Sequence, residues 1–240
     1  MKKLIKLGAI ASLVMAMPVM AQDAGESAWS FSGNITGVSD YVFRGVSQTS
    51  ENPAAQGALN VGHSSGFYGY VWGSNVDFDV AGDGISVEVD YGLGWNGDVG
   101  EGINLDLSAV RYTYPGSNSG FGIDYNEYLA KVTVAEHYYA MIGYADDYAN
   151  TNESATYYQV GTDWDIGETG VALSLAAGLN DFDNVAGDRF WDFQVGFSKD
   201  FGPVNLGLSY IDTAGFSGAF TGRDIANARV VLTASLDFDL

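Results

Sequence analysis

The strongest constraint in this chain is the alternation of apolar and polar residues, repeated in segments of about ten residues. In the last segment, one face is predicted to carry the apolar residues Val230, Leu232, Ala234, Leu236, Phe238 and Leu240. The opposite face is predicted to carry the polar residues Thr233, Ser235, Asp237 and Asp239. A period of two indicates a β-strand with unlike faces. About ten residues is also what a tilted strand needs to cross a bilayer. About twelve such segments predict an all-β fold, a transmembrane antiparallel up-and-down β-barrel.

Connections of two lengths alternate between the segments. Short ones fall at residues 63–66, 96–101, 135–137, 167–169 and 199–202, and long ones at 45–53, 112–123, 146–154, 180–188 and 213–227. A short link at 79–84 is the exception among the long connections. Outer-membrane barrels have short periplasmic turns and longer extracellular loops. An even number of strands then places both termini in the periplasm.

Aromatic residues gather near the ends of the predicted apolar faces. They are Trp29, Phe31, Tyr41, Phe43, Trp95, Tyr138, Tyr144, Trp164 and Trp191. This distribution predicts two interfacial girdles. The alternative is the core of a secreted β-sandwich, whose strands are usually shorter, about 5–6 residues. Strand one is predicted from Trp29 to Arg44, and strand three, residues 67–78, is predicted to place Tyr68, Tyr70, Trp72, Val76 and Phe78 on one face.

The N-terminus has the pattern of an export signal. Lys2, Lys3 and Lys6 precede an apolar stretch that is too short to span a bilayer, and Ala21 ends a small-residue cleavage site. The prediction is a cleaved signal peptide over residues 1–21, a short periplasmic segment over 22–28 and a barrel over 29–240. An uncleaved anchor helix is the alternative.

The net charge of the chain limits the kinds of partner that it can bind. Without the three leader lysines, 7 basic side chains face 30 acidic ones, a formal charge of −23. Such a surface repels nucleic acid and favours cations. The chain has no Cys, which excludes disulfide and thiolate chemistry. The expected partners are outer-membrane lipid and lipopolysaccharide, the barrel-assembly machinery and small polar solutes, with no cofactor.

Two stretches resemble a known family. They are SDYVFRGVSQ at residues 39–48, and GFY at 66–68 with WGSNV at 72–76. They are similar to the TorF family of outer-membrane porins, and the match in motifs covers the first quarter of the chain. The resemblance implies a channel-like protein of the bacterial outer membrane.

Arg44 is the best single candidate for a functional side chain. It is predicted on the polar face of strand one, near its extracellular end and close in sequence to Asp40. An inward Arg in an acidic lumen can form a constriction and set its selectivity. The alternative is a structural Arg–carboxylate pair that locks the strand.

The predicted inward faces carry many acids and few bases. The candidate lumen residues are Asp40, Arg44, Glu88, Asp90, Asp106, Glu127, Lys131, Asp163 and Asp192. A negative lining favours cations. The alternative is that these acids only hydrate the lumen or pair with neighbours and plug it. Acids in the loops (Asp146, Asp147, Glu153, Asp181, Asp183 and Asp188) lack the spacing of an EF-hand and are expected to be solvated.

Catalysis has little support in the residues. His63 and His137, the only histidines, both map to periplasmic turns, and no nucleophile–base set or metal cluster is recognisable. The predicted function is passive diffusion of small hydrophilic solutes, with a leaning towards cations. The alternative is a closed structural or adhesive barrel without channel activity, because a barrel of about twelve strands is narrow and its own side chains could fill it. The loop at 213–227, with Phe216 and Phe220, could either narrow the pore or cap the rim.

Overall fold

The computed structural model describes residues 27–182, 189–217 and 225–240, so the predicted signal peptide lies outside the described residues. Within these ranges the strands are β1 (Trp29–Val38), β2 (Val42–Phe43), β3 (Val46–Ser47), β4 (Ala54–His63), β5 (Phe67–Asn75), β6 (Val87–Gly100), β7 (Ile103–Thr113), β8 (Tyr125–Val134), β9 (Tyr138–Ala145), β10 (Ala155–Asp165), β11 (Val171–Phe182), β12 (Arg189–Phe201), β13 (Val204–Ala214) and β14 (Arg229–Asp239). A 3-10 turn covers Tyr148–Asn150. No helix in the described part of the chain has the length and apolar character to cross a membrane.

The twelve long strands, β1 and β4 to β14, form one closed antiparallel barrel. Each strand pairs with its neighbours in sequence, and β1 closes the ring by pairing with β14, from Ser32 opposite Asp239 to Val38 opposite Thr233. Closure leaves no strand edge without a partner. The predicted fold class and strand number are therefore confirmed.

Alternation places apolar side chains outside and polar ones inside along most of the wall. On β6, Leu93 points outwards and is 73% exposed, whereas Glu88 and Asp90 point inwards and are buried. The same arrangement holds on β12, where Trp191 and Phe193 face outwards. An outer surface this apolar suits lipid rather than water.

Tyr68, Tyr70 and Trp72 share one face of strand three as predicted, but that face points into the barrel and the strand ends at Asn75. Phe67 and Val71 face outwards on β5, and Tyr68, Tyr70 and Trp72 face the lumen. Glycines on β6 make room for these rings, since a Cβ at Gly92 or Gly94 would overlap Tyr70 or Tyr68 respectively. The aromatic face of this strand therefore packs inside the barrel, which hydrophobic alternation alone does not indicate. Val76 and Phe78 lie beyond the end of β5.

The predicted first strand is also too long. β1 ends at Val38, and the chain then turns into the barrel to form a small hairpin of β2 and β3. Arg44 and Gly45 form its two-residue turn, with φ of 50° and 84°. Consecutive left-handed residues are typical of a type I′ turn. Tyr41, which is buried, and Phe43 therefore belong to no girdle, whereas Trp29, Tyr138 and Trp191 remain exposed on the outer surface.

The two rims differ as predicted. The short-turn rim carries residues 64–66, 101–102, 135–137, 166–170 and 202–203, together with Trp29 and Leu240. The long-loop rim carries the connections from Ser39, Val76, Tyr114 and Asp146 onwards. The predicted short link at 79–84 is wrong, because β5 ends at Asn75 and β6 begins at Val87. One predicted turn, 96–101, is mostly strand because β6 continues to Gly100.

The lumen and its inner hairpin

The hairpin crosses the lumen near the long-loop rim. Its tip reaches the wall at β12 and β13, where a Cβ at Gly45 would lie 2.5 Å from Thr213 Cγ2 and 2.9 Å from Asp192 Cβ. On one side, the Ser47 amide donates to the Ile225 carbonyl at 2.9 Å. The hairpin is thus in direct contact with wall strands that are not its neighbours in the ring.

Apolar packing fixes the body of the hairpin. Tyr41 and Val42 form one buried cluster with wall residues such as Trp72 and Val231. The ring of Tyr41 meets that of Trp72 edge-on, with centroids 5.4 Å apart. This half of the lumen is a packed core and not an open pore.

Arg44 is anchored to the wall by a two-pronged ion pair. Its Nη1 and Nη2 atoms lie 2.8 Å from Glu127 Oε1 and Oε2 respectively. The Tyr112 hydroxyl also donates to Glu127 Oε2 at 3.0 Å. The guanidinium covers the ring of Tyr157 at 4.1 Å. Burial disfavours the charged guanidinium, but the Glu127 carboxylate outweighs it, so the pKa of Arg44 stands above its ordinary value.

Asp40 pairs with a different arginine. Its Oδ2 lies 2.6 Å from Arg229 Nη1, and its Oδ1 accepts from the Ser47 and Thr49 hydroxyls at 2.6 and 3.1 Å. Arg229 also lies 3.2 Å from Glu51. This cluster ties the base of the hairpin to the start of β14.

Asp192 belongs to the wall that receives the hairpin tip. Its two carboxylate oxygens accept from the Tyr157 hydroxyl at 3.1 Å and from the Asn180 amide at 3.0 Å. Gln159 in turn donates to the Tyr157 hydroxyl at 2.9 Å. Asp192 is therefore a satisfied buried acid that holds Tyr157 under Arg44.

Glu88 and Asp90 lie side by side on β6 and are less well compensated. Glu88 Oε1 accepts from the Tyr114 hydroxyl at 3.2 Å, while its Oε2 has no hydrogen-bond partner among the described residues. Asp90 is 0% exposed, and neither of its oxygens has a partner there.

The lumen near the short-turn rim is wetter. Asp106, Lys131 and Asp163 are half-buried there, so water reaches them. Asp106 accepts from the Tyr68 hydroxyl at 2.9 Å, and Ser174 donates to Asp163. The Lys131 ammonium lies 4.4 Å from the centre of the Tyr139 ring. We call this region the vestibule, lined by Tyr68, Asn96, Asp106, Lys131, Tyr139 and Asp163.

The structure brings all nine predicted lumen residues inside the barrel, but in two separate groups. The first group surrounds the hairpin and contains Asp40, Arg44, Glu88, Asp90, Glu127 and Asp192, and the second belongs to the vestibule. Sequence reasoning missed Arg229, Tyr112 and Tyr157. The available signal was the Arg44–Gly45 pair between Val42–Phe43 and Val46, which is a hairpin turn pattern.

Two of the loop acids that the structure describes make local contacts through their side chains. Asp181 lies 2.6 Å from Arg189, and Asp147 caps the amide of Asn152. Phe216 packs against Phe190 with ring centroids 5.1 Å apart. Asp183, Asp188 and Phe220 lie outside the described residues.

The fold defines the class of protein: a closed twelve-stranded barrel like those of outer-membrane porins. A solved structure of the KdgM porin superposes with a TM-score of 0.55 at 5% identity, covering 87% of this chain and 99% of that one. The NanC porin gives a TM-score of 0.55 at 11% identity, covering 87% and 100%. No curated protein sequence matches the chain significantly.

The chain itself belongs to the family described as "Bacterial protein of unknown function (Gcw_chp)", whose model matches residues 22–238. The comparisons support this family and the porin fold, and the TorF name is not among their findings.

Proposed function

We propose that this protein is a channel of the bacterial outer membrane for passive diffusion of small hydrophilic solutes, with a preference for cations. In this proposal the short-turn rim faces the periplasm and the long-loop rim the outside. The hairpin of β2 and β3 forms the constriction. The signal peptide over 1–21 would be removed on export, and lipopolysaccharide and the barrel-assembly machinery would be the partners of the outer wall.

The observation that carries the proposal is the division of one polar lumen into a wet vestibule and a hairpin-filled half. The vestibule places Asp106 and Asp163 against the single cation Lys131, which favours cations entering from that side. The hairpin is attached to the rest of the barrel by side-chain contacts and by backbone bonds from Ser47 to Ile225 and from Asp77 to Gln48, not by the ladder of the barrel. It can therefore move without opening a seam between barrel strands. These features support a channel rather than an enzyme.

The test is single-channel conductance of the refolded protein in planar bilayers, with salt gradients to measure charge selectivity. We expect discrete openings and a reversal potential of the sign given by cation preference. Anion preference would contradict the charge argument. No openings from correctly folded protein, with or without the hairpin, would overturn the channel.

A closed structural barrel is the second candidate, and a specific observation favours it. Around the hairpin, wall and hairpin residues such as Tyr41, Tyr112 and Val231 are as buried as a protein core. If the hairpin never leaves, the barrel is solid at this level. Removing the hairpin would then produce a pore that the intact protein never shows in any condition, which is the result that separates the two candidates.

A further inference from the structure

We infer that Asp90 and Glu88 form a binding site for one hard divalent cation inside the lumen, beside the hairpin. The inference deepens the proposed function, because it names an ion that the lumen would hold. It rests on the burial and the charge of these two carboxylates.

The first observation is that Asp90 is fully buried without a partner. Its side chain is 0% exposed, and both of its oxygens lack a hydrogen bond within the described residues. Its neighbours across the sheet are Trp72 on β5 and Tyr112 on β7. A buried carboxylate without partners is strongly destabilising. Some other group must therefore compensate it.

The second observation is the local charge balance. Arg44 is engaged by both oxygens of Glu127, so that pair is neutral. Glu88 and Asp90 remain, with one further unpartnered oxygen on Glu88. Their uncompensated charge of two equals that of one divalent cation. Because the two residues are two positions apart on one strand, their side chains leave the same face about 6.6 Å apart, a gap that an ion can bridge.

The third observation concerns the type of ligand. The titratable side chains that interact electrostatically with Asp90 are Tyr41, Tyr70, Glu88, Tyr112 and Glu127, and all of these offer oxygen. Oxygen-only sites suit Ca²⁺ or Mg²⁺, and Ca²⁺ tolerates irregular geometry. No group of three or more acids, histidines or cysteines converges in residues 27–182, 189–217 and 225–240. Two carboxylates with hydroxyls and water would therefore complete the shell.

The experiment is equilibrium dialysis of the folded protein in detergent with radioactive Ca²⁺ at millimolar Mg²⁺ and at zero Mg²⁺. We expect one saturable Ca²⁺ per chain. Asp90→Asn should lose it, and Glu88→Gln should weaken it by at least tenfold. Asp165→Asn removes the same charge from an exposed position and should keep it.

The melting temperature gives a second test of the cation site that does not depend on conduction. In chelator, Asp90→Asn should melt at a higher temperature than the natural protein, because it removes an uncompensated charge while retaining its shape. Added Ca²⁺ should raise the melting temperature of the natural protein and not that of Asp90→Asn. Equal Ca²⁺ binding by Asp90→Asn and Asp165→Asn would show only surface binding and overturn the site. A melting temperature that follows pH and ignores Ca²⁺ would assign the compensating charge to a proton, which also overturns it. A protein that conducts without this Ca²⁺ leaves the proposed channel standing.

Discussion

The two halves of the lumen use the same wall and the same residue types, yet they differ in almost every physical property. Around the hairpin, Glu127 and Asp192 are buried and fully engaged. In the vestibule, Asp106 and Asp163 are half-exposed to water. The strands continue through both halves without interruption. The difference therefore comes from one inserted segment and not from the barrel.

This comparison shows that an inward acid has no fixed role in a barrel. Next to the hairpin, a carboxylate must find a cation or donors, since the desolvation cost is high. In the vestibule, water screens the same group, and it acts through the field it adds to the lumen. We expect substitutions in the packed half to change stability, and those in the vestibule to change selectivity.

The largest expected effect is that of removing the hairpin. Val38 and Ala54 are paired neighbours at the ends of β1 and β4, so a short Gly-Ser turn can replace residues 39–53 without altering the barrel. We expect single-channel conductance to rise by about an order of magnitude, because a lumen filled by a segment becomes a water path. A matched shortening of the exposed loop at residues 116–122 should leave conductance unchanged. Equal conductance of the two variants would show that the hairpin is not the constriction.

The next largest effect is on stability, from Glu127→Gln. The substitution keeps a hydrogen-bond acceptor for Tyr112 and leaves the buried Arg44 without a counter-ion. We expect a loss of about 3–5 kcal/mol from breaking a buried pair in this way, to be checked by urea unfolding in micelles. Asp181→Asn, which breaks the exposed pair with Arg189, should cost about 0–1 kcal/mol. If both variants lose the same free energy of unfolding, the ion pair in the packed half stabilises the protein no more than the exposed pair does.

A smaller effect should come from the hairpin turn. Gly45 and Gly82 have φ of +84° and +82°, and only Gly45 has atoms of other segments within reach of an added Cβ. Backbone strain should therefore destabilise Gly45→Ala and Gly82→Ala by similar amounts. Gly45→Ala should lose about 1–3 kcal/mol more in the same unfolding assay, because its methyl group meets Thr213. Identical losses would mean that the tip does not press on Thr213 of β13.

The smallest effect belongs to the vestibule. In the protein lacking the hairpin, Asp163→Asn should reduce cation preference and Lys131→Gln should increase it, as shifts of the reversal potential in opposite directions. Both groups are partly exposed, so unfolding free energies should change by less than about 1 kcal/mol. A large loss of stability from Asp163→Asn would show that the vestibule is packed as well.

The sequence predicted the barrel because the constraint acts on every strand. Lipid outside demands apolar residues at alternate positions, as at Leu232 and Leu208. The interior has no such rule once a segment folds into it. Tyr70 and Trp72 face inwards because glycines and the hairpin give them a core to join, and their alternation resembles that of an outer face.

The sequence predicted which residues face the lumen, but not which of them contact one another. Glu88, Asp90, Glu127 and Asp192 were placed inside by the period of their strands. Their partners could not be read from the sequence, because the Arg44 that meets Glu127 comes from a segment 83 positions away. Only the local turn signal at Arg44–Gly45 was available, and it indicates a hairpin without saying where the hairpin goes.

The contact between Asp40 and Arg229 has a consequence for how the molecule is made. These residues are 189 positions apart, and the amide of Leu232 binds the Ser39 hydroxyl across 193 positions. The hairpin segment is synthesised early, but it can make these contacts only after nearly the whole chain has been synthesised. Insertion of the hairpin and joining of the first strand to the last should therefore belong to one late event of assembly, slow because of the long loop it must close.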